Sequence, residues 1–175
     1  MRATVLVMLL SLLFGGISEG VQTKVVVRAR SKDAKFIGTT MGGALIVMKD
    51  AETGEVLAKG FTSGGTGNTR RIMTEPVKRG MPIADEETAK FETSVDIVEP
   101  RLVTIEVLSP YGQRQSMTKN TAQVWLIPGK DITGDGIIID IYGFSVDITS
   151  PQAHEMMKLT GSALAVPVRA NVVMM

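Results

Sequence analysis

Phe91 to Val98 alternates. Phe91, Thr93, Val95 and Ile97 fall on one side of an extended chain, and Glu92, Ser94 and Asp96 fall on the other. Leu102 to Leu108 repeats the pattern, with Thr104 and Glu106 among apolar neighbours. A side-chain period of two belongs to half-buried β-strands and excludes an amphipathic helix over these segments. Glu99-Pro100-Arg101 separates the two runs and predicts that they form an antiparallel pair.

Other short runs follow the same rule. Val21 to Arg30 is valine-rich and alternates near its ends. Ala44 to Lys49 and Val56 to Thr62 flank the turn cluster Asp50-Ala51-Glu52-Thr53-Gly54, which predicts a hairpin. Thr121 to Ile127 holds the sole tryptophan, Trp125. Gly136 to Ile141 and Phe144 to Ile148 flank Tyr142-Gly143, and Ala163 to Val173 forms a final strand broken by Pro167. One helix is expected after Ser150 as cap and Pro151 in the first turn, ending at Gly161. Its Ala153, Met156 and Met157 would face the sheet. The expected fold class is all-β, an antiparallel sandwich with one short helix near the C-terminus. No strand–helix–strand repeat supports a parallel α/β fold.

The N-terminus has a different pattern. Arg2 precedes an apolar run from Val5 to Phe14, and Gly15-Gly16-Ile17-Ser18 supplies small residues behind it. This is the layout of a secretory signal peptide over residues 1–20, cleaved after Ser18 or Gly20. The run is shorter than the ~20 residues that a membrane span needs. The expected product is one soluble, secreted or periplasmic sandwich domain, residues 21–175, with no transmembrane segment. The chain has no cysteine, so disulfides cannot brace it. Its formal net charge is +1, which argues against nucleic acid as a partner.

The stretch GALIVMKDAETGEVLAKGFTSGGTGNT, Gly43 to Thr69, resembles the start of transthyretin-like and carboxypeptidase-regulatory-like domains. Those immunoglobulin-like sandwiches place an Asp-x-x-Thr-Gly turn between two early strands. The segments EPRLVTIEV, VWLIPGKDITGDGI and PVRANVVMM are similar, as a set, to a family of uncharacterised exported β-sandwich proteins. The resemblance implies a fold and a compartment but no activity. It also implies that relatives continue into a Cys-Gly-Cys segment, which would make Met175 a fragment boundary.

Three groups of residues are candidates for a site. The long irregular stretch from Thr62 to Glu87 carries Arg70, Arg71, Lys78 and Arg79 near flexible glycines. These four would hold an anion such as an acidic glycan; the plainer alternative is a solvated excursion between sandwich edges. Asp131-Ile132-Thr133-Gly134-Asp135-Gly136 resembles the first half of an EF-hand loop, with Asp131 and Asp135 as calcium ligands. Its third position is Thr133 and its twelfth is Tyr142, so a plain turn is favoured. His154, Met156 and Met157 have the soft donors that Cu(I) takes, but methionine also fills cores.

Catalysis finds little footing. His154 is the only histidine, and no Gly-x-Ser-x-Gly surrounds any serine. Trp125, Tyr111, Tyr142 and Phe144 are the aromatics that a sugar platform would use; Trp125 falls on either the core or the surface side of its strand, the core being commoner for a sole tryptophan. The leading expectation is therefore a non-enzymatic binding or interaction module without a cofactor. Its ligand, an unknown protein or acidic glycan, would meet the 62–87 loop. A second route is edge-strand pairing or a homodimer through the apolar end VVMM. A metal-handling protein is the runner-up.

Overall fold

The computed structural model describes residues 19–32, 34–152 and 166–175. The leader, except Glu19 and Gly20, and the helix expected after Ser150, except Pro151 and Gln152, therefore lie outside the described residues. Ser150, the expected helix cap, is the last residue of a strand.

Among the described residues nine strands follow in order: β1 (Val21–Ser31), β2 (Leu45–Asp50), β3 (Val56–Phe61), β4 (Phe91–Ile97), β5 (Arg101–Ser109), β6 (Thr118–Leu126), β7 (Ile132–Ile141), β8 (Phe144–Ser150) and β9 (Arg169–Met174). One sheet has the order β4-β1-β7, a second has β3-β2-β5-β6, and β8-β9 forms a separate ribbon. A single turn of 3-10 helix, Thr39–Met41, and a five-residue helix, α1 (Thr69–Met73), complete the elements. Among the described residues no helix is long and apolar enough to cross a membrane.

The alternating runs explain the core. Val25, Val27 and Ala29 of β1 meet Ile46 and Met48 of β2 and Val103, Ile105 and Val107 of β5. Val95 and Ile97 of β4, Leu126 of β6 and Ile139 and Ile141 of β7 close the same cluster. Both sheets thus bury one face against the other, and each fully buried Val or Ile is worth ~1.5–3 kcal/mol. The all-β sandwich is as expected.

The hairpin β2–β3 also forms where its turn residues predict it. Asp50 Oδ1 accepts the backbone N–H of Glu52 at 2.9 Å and of Thr53 at 2.7 Å. Gly54 takes the left-handed conformation that ends this turn, at φ 75°.

Two pairings differ from expectation. β4 and β5 do not pair with each other: β4 pairs with β1, whereas β5 pairs with β2 and β6. Alternation fixes which face of a strand is buried but does not name its neighbour. Here Glu99-Pro100 carries the chain from one sheet to the other. The second difference is β1 with β7, which run parallel in an otherwise antiparallel fold. Their register advances from Val25↔Ile132 to Val27↔Ile137, so β7 bulges outward through Thr133–Gly136. Gly136 is required there. It has φ 66°, and a Cβ would collide with the Val26 carbonyl oxygen.

Candidate functional site

The Thr62–Glu87 stretch packs at both ends and is exposed throughout its middle, Met73 to Pro82, and its four cations are not gathered into one site. Its ends are zipped by the bridges Ser63↔Lys90 and Gly65↔Thr88. It folds over the outer face of the β4-β1-β7 sheet and builds a second small core from Phe36, Ala84 and Ala89, with Ile72, Ile83 and Ile138 packed against it. Arg28 lies beneath it, 3% exposed. Its guanidinium donates to the carbonyls of Thr88, of Ala89 at 3.0 Å and of Gly134 at 3.2 Å. Burial pushes the Arg28 guanidinium below its ordinary value, opposed first by the charge of Asp135.

Asp135 ties the loop down from the other side. Its Oδ2 accepts the N–H of Ile83 at 3.0 Å and its Oδ1 accepts that of Ala84 at 2.9 Å. Asp131 Oδ1 accepts the N–H of Lys24 at 2.8 Å. The two carboxylates of the EF-hand-like run therefore hold backbone in place. Among the described residues no group of three or more His, Asp or Glu side chains converges as a metal site. His154, Met156 and Met157 lie outside the described residues.

The four cations of the loop are distributed over its surface. Arg70, on α1, is largely exposed and pairs with Glu75 at 3.4 Å. The charge of Arg71 helps to hold the Asp85 carboxyl below its ordinary range, after the larger effect of the Thr88 hydroxyl. Lys78 and Arg79 are exposed. Three clefts border the loop, and none is lined by any of the four. One has Glu86, Glu87 and Glu92 with a single cation, Lys90, and a second has Asp85 and Glu87. The third, beside Ile72 and Met73, has Arg30 and Lys32 with Asp140. The charge of the first two favours cations over anions.

The β8–β9 ribbon has a different character. Phe144, Val146 and Ile148 stand opposite Met174, Val172 and Ala170 in direct cross-strand pairs. All six lie on one face and all are exposed. The opposite, polar face is the one turned inward: Ser145 is buried and its hydroxyl donates to Gln113 Oε1. A strand would ordinarily bury the apolar side, so this pattern is inverted.

The edges of the ribbon are unequal. The Met175 N–H donates to the Gly143 carbonyl at 3.0 Å, which makes 143–175 a hydrogen-bonded pair. Alternation along an antiparallel ladder then turns the backbone groups of 144, 146 and 148 away from β9, and those of 170, 172 and 174 away from β8. On β8 these outward groups are capped. Gln115 accepts from Ile148 N at 3.1 Å and donates to its carbonyl at 3.3 Å, while the Ser116 hydroxyl donates to Val146 O at 2.6 Å. On β9 the outward groups of Ala170, Val172 and Met174 face no strand among the described residues.

No protein-family model, no curated protein and no solved structure matches this chain. The site must be judged on its own chemistry. Sequence reasoning singled out VVMM as a poorly protected end but missed β8, which contributes Phe144, Val146 and Ile148. Their spacing of two was visible, but it reads as a core face.

Proposed function

We propose that this chain is an exported, non-enzymatic protein-interaction module that receives a partner strand along the outer edge of β9. One observation carries the reading. Among the described residues the outward backbone groups of Ala170, Val172 and Met174 have no strand partner, and their exposed apolar side chains continue the face of β8. Backbone hydrogen bonds would give such pairing its affinity, and the apolar side chains would give it register. A two-stranded ribbon is marginal alone, so an added strand also stabilises it.

The favoured partner strand is β9 of a second copy. Antiparallel pairing centred on Val172 sets Ala170 opposite Met174 of the other copy and Val172 opposite Val172. Every outward N–H and C=O then meets a partner. Arg169, the only charged residue of β9, falls opposite Met175 rather than opposite another cation. Export rests on the N-terminal leader pattern. The 62–87 loop has less support as the contact surface, since its four cations are dispersed and line none of the clefts that border it.

Proline separates this reading from a folding role. Val172→Pro removes an outward N–H and leaves the β8–β9 ladder intact, whereas Val173→Pro removes an inward one. Sedimentation of the parent should show concentration-dependent association. The Val172→Pro variant should remain folded and monomeric, and Val173→Pro should lose ribbon structure. Association unchanged in Val172→Pro, or a parent that stays monomeric at hundreds of micromolar, sinks self-pairing.

A further inference from the structure

Trp125 is the only tryptophan of the chain, and it stands 58% exposed rather than in the core. Val124 and Leu126 face the other sheet, so the residue between them points outward, beside Leu102 of β5. It lines a cleft of about 390 Å³ at the end of the sandwich, together with Asp50, Glu52, Glu99 and Arg101. That volume lies within the range of small-ligand sites.

The charges in this cleft are unequal. Three carboxylates face one guanidinium, a formal balance of −2. Arg101 Nε lies 3.3 Å from Asp50 Oδ2, and the other Asp50 oxygen is engaged by the turn at Glu52 and Thr53. Asp50 and Arg101 therefore satisfy each other and the fold. Glu52 and Glu99 are exposed, and neither forms an ion pair among the described residues. Their negative charge stands beside an indole, the aromatic surface that attracts cations most strongly.

We propose that this cleft binds a compact organic cation, an alkylammonium or guanidinium group, on the Trp125 indole with Glu52 and Glu99 as counter-charges. The concave wall supplies contact, the indole supplies the quadrupole and the two carboxylates supply charge. None of the three comes from the β8–β9 ribbon, so the two proposals stand or fall separately.

The site contains its own reporter, because all tryptophan emission comes from Trp125. Tetramethylammonium chloride should change that emission saturably, and sodium chloride at equal ionic strength should not. In a Glu52→Gln, Glu99→Gln double variant the binding should weaken roughly fivefold or more. Both side chains are exposed, so circular dichroism of that variant should match the parent. Calorimetry should find no binding to Trp125→Ala. A lysine-rich peptide added in parallel identifies the source. Tighter binding than the free cation assigns the cleft to a side chain of a partner protein, and weaker binding assigns it to a free amine. The proposal is overturned by emission that responds equally to sodium chloride, by undiminished affinity in the double variant, or by equal binding of a neutral oligosaccharide.

Discussion

Replacing Asp135 by alanine should loosen the 62–87 loop and cost the fold ~3–4.5 kcal/mol. The carboxylate accepts two backbone N–H groups, from Ile83 and Ala84, on separate oxygens. A hydrogen bond to a charged group contributes ~1.5–3 kcal/mol, and this site is only partly buried, so the lower half of the doubled range applies. A further loss arises at Arg28, for which Asp135 is the largest compensating charge. Asparagine should fall between parent and alanine, since one oxygen remains but its –NH₂ then faces an N–H donor. For a domain of this size the midpoint of thermal unfolding should drop by roughly 5–12 °C in the alanine variant. Hydrogen exchange gives a local readout: the amides of Ile83 and Ala84 should exchange faster in the variant than β2 or β5 amides do. Calcium sharpens the test. If Asp135 is a backbone clamp, calcium should not move the midpoint of the parent, whereas a ligand at a hundredfold its dissociation constant adds ~2.7 kcal/mol. A calcium-dependent rise abolished in Asp135→Asn, or an alanine variant within 0.5 kcal/mol of the parent with unchanged exchange at both amides, refutes the clamp.

Arg28→Met keeps most of the buried volume and removes the donors to Thr88, Ala89 and Gly134. Leaving those carbonyls unpaired should cost ~3–5 kcal/mol in urea denaturation, with exposure of the Phe36 cluster to hydrophobic dye. Stability should also fall in acid. The carboxyls of Asp50, Asp85 and Glu106 are held below the ordinary range, first by the Thr53 N–H, the Thr88 hydroxyl and the Lys49 ammonium respectively. A depressed folded value means that the unfolded chain takes up protons first, so the stabilisation is present above ~pH 4.5 and is lost as pH falls through the folded values. The urea midpoint should be level from pH 5 to 7 and decline below about pH 4, and Asp50→Asn should make that decline shallower.

What could be read from the sequence follows the range of the interactions involved. The β2–β3 hairpin is local: Asp50, Thr53 and Gly54 set its turn within five residues, and the sequence contains all of them. The partner of β4 is not local. Phe91–Ile97 shows which side is buried, but pairing with β1 rather than β5 is decided by the packing of two sheets. The parallel β1–β7 pair depends on the bulge at Gly136, and Asp135-Gly136 reads equally well as a turn. Trp125 is a case where the signal was present. Thr121 and Gln123 share its side of β6, and Ala122, Val124 and Leu126 share the other. Alternation places the indole with the polar set, against the general preference of a large aromatic for the core.

The two proposed surfaces occupy opposite ends of one hairpin. β5 starts at Arg101 and β6 ends at Leu126, beside the Trp125 cleft. The connection between them, through Gln113, Gln115 and Ser116, holds the β8–β9 ribbon. Nine-residue strands put roughly 30 Å between these ends. A single rigid hairpin, fixed by nine cross-strand pairs, therefore spaces an acidic aromatic cleft from an open strand edge. The middle of the hairpin is closed to ligands, because Glu106 is held between Lys49 at 3.0 Å and Lys119 at 3.3 Å on the outer face. At one end the strands run into turns that leave Glu52 and Glu99 in water. At the other, the turn caps β8 with Gln115 and Ser116, and no equivalent cap lies on β9 among the described residues. If a partner strand adds to the ribbon as proposed, the capped β8 edge leaves the β9 side as its direction of approach.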